Sequence, residues 1–366
     1  MTRAAAGDDL VTAIAGHGMW RASRGDRHDR RGRSTLKGMS IRLGYQIPNF
    51  TYPGRNPAEI MPTVIRQARE AEASGADTVF VMDHFYQLPG LGKPDEPMLE
   101  AYTLLGALAT ATERVQLSTL VTGNTYRNPT LLAKAVTTLD VVSDGRAVLG
   151  LGAGWFELEH QQLGFEFGTF TDRFHRLEEA LAIVLPMLRG ERPTFSGDWY
   201  RAVGAMNEPR MRDDLPLLIG GSGEKKTFRY AARHADHLNM ICDAADLPRK
   251  LEALAQRCEE EGRDRSTLET SYLGFVIMDE DGDTARRMHK EMFASRGVDL
   301  DAMDDDTRRL ATDRHFVGAP EEVAEQVVTR VLDAGIDGFV FNMVVNGHVP
   351  GAVSMACEAL RPVVRA

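Results

Sequence analysis

Short apolar runs alternate with longer amphipathic stretches along almost the whole chain. Strand-like runs rich in Val, Ile, Leu and Phe fall at residues 41–47, 78–82, 115–121, 147–151, 217–220, 237–241, 272–278 and 336–342. Between them the helical period predicts helices at 57–74, 99–112, 129–142, 174–188, 225–233, 247–260 and 320–334, with a last one at 352–364. Strands that are continuously apolar, rather than alternating, belong to a parallel sheet covered on both faces. Eight of them with intervening helices predict an α/β fold, a single (β/α)8 TIM barrel over residues 39–366. Asn128-Pro129 and Ala319-Pro320-Glu321-Glu322 each set a proline at a helix start, in agreement with that register.

Two intervals exceed ordinary connections. Residues 165–172 together with 193–215, and residues 280–315, are expected to be insertions at the carboxyl-terminal face of the barrel, where they would shape substrate access. Residues 1–38 break the rhythm altogether. They hold eight Lys/Arg against four Asp/Glu, whereas the chain as a whole carries a net charge of −10. They read as a disordered tail preceding Met39. A secretory signal sets its charge before an apolar core, and here the weak apolar stretch at 11–15 precedes the Arg-rich run.

Composition narrows the function classes. With 43% hydrophobic and 26% charged residues the chain is an ordinary globular one with ample core material. Its acidic balance argues against nucleic-acid binding, which draws affinity from clustered Lys and Arg. No apolar run reaches membrane-spanning length. The three cysteines, Cys242, Cys258 and Cys357, lack metal-ligand spacing and suit a reducing compartment, so the expectation is a cytoplasmic protein without a metal site.

Candidate chemistry gathers at the carboxyl ends of the expected strands, the face where ligands bind in parallel α/β folds. Strand one ends in Gln46 and Asn49, strand two in Asp83-His84-Phe85, strand three in Thr119, Leu120 and Thr122, and strand eight in Asn342. Strand four leads into Gly152-Ala153-Gly154-Trp155 and strand five into Gly220-Gly221-Ser222-Gly223. Glycine turns admit a ligand close to the backbone, and Gly221-Ser222-Gly223 enters a helix whose N–H groups can bind an anion. A tight βα turn accounts for the same glycines. Likewise Asp83 and His84 read either as a titratable pair at a site or as a cap and a packed mouth residue.

Taken together these stretches resemble the luciferase-like flavin monooxygenase superfamily, and within it the branch that uses the deazaflavin coenzyme F420. The resemblance rests on Leu43-Gly44-Tyr45, Asp83-His84-Phe85, Thr119-Leu120-Val121-Thr122, Arg127-Asn128-Pro129, Ser143-Asp144-Gly145-Arg146, the run from Leu149 to Trp155, Ile219-Gly220-Gly221-Ser222-Gly223 and the run from Val317 to Glu322. It implies an oxidoreductase that exchanges a hydride between F420 and a small organic substrate. Asp83 and His84 would be catalytic, with Asp83 also contacting the cofactor and His84 exchanging a proton with substrate. Thr119, Leu120, Thr122, Gly152, Gly154, Gly221, Ser222 and Gly223 would hold the cofactor, with its phosphate at Gly221–Gly223. A non-prolyl cis peptide is implied at Thr119-Leu120. The substrate side would be lined by Trp155, Asn49 and Asn342. Sugar-phosphate dehydrogenases of this branch carry Glu where this chain has Trp155, which implies a more apolar substrate. Two rivals remain at this level, an FMN-dependent two-component monooxygenase and a flavin-binding barrel without turnover. The small-molecule substrate is the expected partner, with a homodimer left open.

Overall fold

The structure is a computed structural model and describes residues 40–365 except residue 55; the expected tail at 1–38 lies outside the described residues. In chain order the barrel strands and their helices begin with β1 (Leu43–Ile47), α1 (Ile60–Ala73), β2 (Thr78–Val81), α2 (Ala101–Ala111), β3 (Gln116–Thr119), β4 (Thr122–Gly123), α3 (Pro129–Val142) and β5 (Leu149–Gly152). An insertion follows, made of α4 (Glu157–Leu163), α5 (Phe170–Leu188) and the two-residue strands β6 (Phe195–Ser196) and β7 (Arg201–Ala202). The chain continues through β8 (Leu217–Gly220), α6 (Thr227–His234), β9 (His237–Met240), α7 (Leu247–Glu260) and β10 (Glu269–Met278). A second insertion, α8 (Gly282–Ala294), α9 (Asp305–Thr312) and β11 (His315–Gly318), precedes α10 (Pro320–Val327), β12 (Gly338–Asn342) and α11 (Ala352–Val364).

All pairs in the main sheet are parallel, in the order β3-β2-β1-β12-β10-β9-β8-β5-β4. A parallel bridge from Leu117 to Ala147 joins β3 to the approach of β5, so the sheet closes on itself. β3 and β4 are one barrel strand interrupted by a bulge, and the closed set is the expected eight. Inside it Ile41, Phe80, Leu120, Val148, Leu218, Leu273 and Val340 form a small apolar plug. A far larger apolar layer fills the space between sheet and helices. This division follows from strands apolar on both faces. No helix among the described residues is long and apolar enough to cross a membrane.

Two features depart from expectation. Residues 280–315 are not only an insertion: they lead into β11, an extra strand beyond the closed set of eight, whose His315–Gly318 pairs in parallel with Phe275–Met278 of β10. Its four residues, His-Phe-Val-Gly, bury only Phe316 and Gly318, too little to leave a strand signal in the sequence. The helices α4, α8 and α9 were also not evident, for the same reason. α4 buries Glu159 and His160, α8 buries Gly282, Ala285 and His289, and α9 buries nothing, so none carries an apolar stripe.

α8 is joined to β11 by two imidazoles. His289 Nε2 lies 2.7 Å from His315 Nδ1, with Phe293 and Phe275 packed edge-on around the pair. Burial pushes His289 down to about 4, and burial followed by the charge of His289, Arg314, Arg296 and Arg330 pushes His315 down to about 3. The folded protein therefore binds fewer protons here than the unfolded chain below about pH 6.5. Stability contributed by the neutral pair is complete above that pH and is lost as pH falls towards 4. Melting temperature should rise with pH between 4 and 6.5, and His289→Phe should flatten that slope; an unchanged slope in the variant would contradict the assignment.

Candidate active site

β2 ends at Val81, and the chain then delivers Asp83 and His84 to the carboxyl-terminal mouth. Asp83 is 2% exposed and cannot stay there charged without partners. Arg127, just ahead of α3, supplies them in a forked pair: Nη1 to Oδ2 at 2.7 Å and Nη2 to Oδ1 at 3.0 Å. The Gly123 N–H donates to the same Oδ2 at 3.1 Å. Arg127 also bonds Glu100 at 2.5 Å and lies 4.8 Å from the centre of the Tyr102 ring. Burial alone would lower the Arg127 pKa, but the Asp83 carboxylate beside it holds it above its ordinary value. Both Asp83 oxygens are thus engaged in tying the end of β2 to β4 and to the start of α3.

His84 is differently placed. Its side chain is 12% exposed, and its Nδ1 lies 2.9 Å from Oε2 of Glu159, which is fully buried on α4. Three further groups converge on this carboxylate. Oε1 accepts the N–H of Phe85 at 2.5 Å and that of Tyr86 at 2.8 Å, and Oε2 accepts the Tyr126 hydroxyl in a very short bond. Burial would raise the Glu159 pKa, but its bond to His84, with those from Tyr126 and the Tyr86 amide, keeps it below the usual range. A carboxylate only accepts, so Nδ1 carries a hydrogen, and in the neutral form of the ring that leaves Nε2 the bare nitrogen. Nε2 has no partner among the described residues. Trp155, 59% exposed, meets the imidazole edge-on with centroids 5.9 Å apart, and Phe156 does the same.

α4 is itself held by His160, 1% exposed. Its Nδ1 lies 2.8 Å from the Phe156 carbonyl, which must accept, and its Nε2 then accepts from Thr125 Oγ1 at 2.6 Å. Gly154 permits this arrangement: its φ of +81° suits glycine, and a Cβ there would meet Thr125 Oγ1 at 2.7 Å.

The bulge between β3 and β4 carries a non-prolyl cis peptide at Leu120-Val121, one residue later than the Thr119-Leu120 bond expected from resemblance. Strand β3 keeps its regular pairing with β2 through Thr119, so the departure begins only after it. Gln46 Nε2 donates to the Leu120 carbonyl at 3.1 Å, and Asn342 Nδ2 donates to Gln46 Oε1 at 3.2 Å. This chain of amides crosses from β12 through β1 to the bulge and leaves Asn342 Oδ1 buried without a partner. Thr119 and Thr122 are both buried, and their hydroxyls serve each other. Thr119 donates to the Gly150 carbonyl, Thr122 lies 2.7 Å from Thr119, and Tyr102 lies 2.7 Å from Thr122. Gly152 makes room for protein: a Cβ on it would come 2.8 Å from Val121, and one on Gly220 2.7 Å from the same side chain.

After β8 the turn Gly221-Ser222-Gly223 precedes α6, whose N-terminus has no side-chain cap. Gly221 has φ +133°, and Gly223 closes against Thr227, where a Cβ would lie 2.9 Å from Oγ1. The Ser222 carbonyl is held by Lys250 Nζ at 2.8 Å, and Lys250 also pairs with Glu224. The Gly221 N–H is spent on the Asn239 carbonyl at 3.0 Å, so the turn offers an anion the N–H groups that follow it and the helix dipole. Asn49 donates to the Val344 carbonyl at 3.0 Å and ties the loops after β1 and β12 together.

The structure thus brings His84 together with Trp155 and, separately, Gln46, Asn342 and the bulge. Glu159, Tyr126 and Arg127 complete the arrangement. The sequence does not single out Glu159, because it sits in a polar helix whose first turn also holds Glu157. The available clue was distance from a strand end, since Glu159 follows β5 by only seven residues.

Known proteins resemble this chain in sequence and in fold. Residues 41–338 match the sequence family described as luciferase-like monooxygenase. An F420-dependent glucose-6-phosphate dehydrogenase of Microbacterium testaceum is 35% identical over 253 residues, 67% of this chain and 70% of the relative. One of the same name from Kineococcus radiotolerans is 31% identical over 250 residues, with the same shares covered. A solved F420-dependent secondary alcohol dehydrogenase in complex with an F420-acetone adduct superposes with a TM-score of 0.72 at 24% identity, over 90% of this chain and 100% of that one. A long-chain alkane monooxygenase gives 0.71 at 16% identity, over 90% and 92%. At such identities the likeness to solved structures is one of fold.

Arg127→Leu would strand the buried Asp83 carboxylate. Denaturant unfolding should show a loss of about 3–5 kcal/mol, and a loss below about 1 kcal/mol would show that the pair is solvated.

Proposed function

We propose that this chain, which belongs to the luciferase-like monooxygenase family and to its coenzyme F420-dependent branch, exchanges a hydride between F420 and a small organic substrate with an apolar face. The observation that carries the reading is the partly exposed His84 at the mouth, fixed from behind by buried Glu159 and flanked by exposed Trp155.

The residues present fit such a cofactor. Asn342 Oδ1 is a buried acceptor without a donor, a match for the imide N–H of a flavin-type ring. Gly221, Ser222 and Gly223 would take the phosphate, and the backbone around Leu120 would lie along the ring. When bound, F420 supplies the ring carbon that takes or gives the hydride. The protein supplies orientation and the proton. In the oxidative direction the substrate hydroxyl gives its proton to His84 Nε2 while the carbinol hydrogen leaves as hydride, and a carbonyl product remains. In reverse His84 returns that proton. Imidazole is the side-chain class that both takes and gives a proton near neutral pH, which suits it to either direction.

Trp155 supports the choice of substrate. The curated relatives are named for glucose 6-phosphate, but an exposed indole beside His84 offers a flat apolar wall rather than an acid or a cation. Small apolar alcohols and ketones fit that wall better than a sugar phosphate does.

Single-turnover absorbance of the bound deazaflavin, read with a panel of apolar alcohols and with glucose 6-phosphate, tests the reading. The parent should transfer hydride from at least one apolar alcohol faster than from the sugar phosphate. His84→Ala should slow transfer by about two to four orders of magnitude with cofactor affinity nearly kept. Robust glucose 6-phosphate turnover would contradict the substrate class, and a His84→Ala rate within about twofold of the parent would remove His84 from the chemistry.

A further inference from the structure

The Glu159 carboxylate has an arrangement that goes beyond neutralising its surroundings. Its two oxygens serve different partners: Oε1 takes the amides of Phe85 and Tyr86, and Oε2 takes His84 Nδ1 and the Tyr126 hydroxyl. The amides belong to the two residues after His84, so one carboxylate fixes both the backbone that carries the imidazole and the hydrogen on its ring.

We propose that Glu159 is a positioning residue which, with Tyr126, locks His84 in the Nδ1–H tautomer and so makes Nε2 the atom that exchanges the substrate proton. The proposal rests on the reading of His84 above, and adds which nitrogen works and what decides it. An unheld imidazole would divide between two tautomers and several ring rotations. Here the ring has one donor position that is satisfied and one lone pair left over. The same logic governs the buried carboxylate behind the histidine of serine-protease triads, where an amide in its place leaves the geometry intact but gives the wrong tautomer.

Glu159→Gln is unusually informative at this position. The two backbone N–H groups require an acceptor, so the amide oxygen must stay at the Oε1 site and the NH2 must take the Oε2 site. The NH2 then donates to His84 Nδ1, which drives the ring hydrogen to Nε2. Volume and backbone contacts are preserved while the working lone pair is removed.

The test is the nitrogen chemical shifts of His84 in parent and Glu159→Gln proteins, measured with hydride-transfer rate and F420 affinity. The parent should show Nδ1–H and the variant Nε2–H. The rate should fall by a factor of about 10³–10⁴ while F420 affinity stays within about twofold. A parent with Nε2–H, a variant that keeps Nδ1–H, or a tautomer switch with the rate unchanged would each overturn the proposal. Should the variant fail to fold, the tautomer of the parent still decides. The tautomer is read without substrate, so a parent that transfers no hydride at all would sink the functional reading and leave this one to be judged on its own shifts.

Discussion

The mouth of this barrel depends on one buried carboxylate. Glu159 is fully enclosed, and an ionised group there is tolerable only because four donors reach it from the surrounding loops. Those donors come from the loop after β2 and from Tyr126 after β4, while the carboxylate itself comes from α4 after β5. Three neighbouring strand ends are thereby drawn to a common point. Asp83 ties the same region together through Arg127 and Gly123. His84 follows one anchored acid in the chain and bonds the other, and its own direction follows from theirs.

The remaining glycine and amide features are the counterpart of that rigidity. Gly152 and Gly220 both yield space to Val121, so the bulge with the cis peptide is seated by missing side chains on two adjacent strands. Gln46 and Asn342 then hold the Leu120 carbonyl from the opposite side. A flat ring laid across the mouth would meet a fixed backbone edge, an orphaned acceptor on Asn342 and an uncapped helix start at α6. Pre-arranged polar groups of this kind cost little to reorganise when a ligand arrives.

How much of this could be read from the chain depends on which residues carry the pattern. The eight barrel strands were legible because their burial is apolar and nearly continuous, and α3, α7 and α11 because theirs is apolar and periodic, as in Leu132, Val136 and Leu139 of α3. β11 and the helices α4, α8 and α9 were hidden because their buried groups are few or polar. Within the site, His84 and Trp155 were visible from their places after strand ends. Glu159 was not, because a buried acid and an exposed one look alike in a sequence until the tertiary donors are known. Arg127 stood in a quoted motif, yet its pairing with Asp83 across 44 positions is a contact that only the fold supplies.

The claim on which the functional account stands is that the mouth recognises the deazaflavin. Parallel absorption titrations of the purified protein with F420 and with FMN test it most directly. The account predicts a saturable spectral change with F420 and binding of FMN at least about tenfold weaker, a gap of roughly 1.4 kcal/mol. Tighter binding of FMN, or saturation by neither, would contradict it.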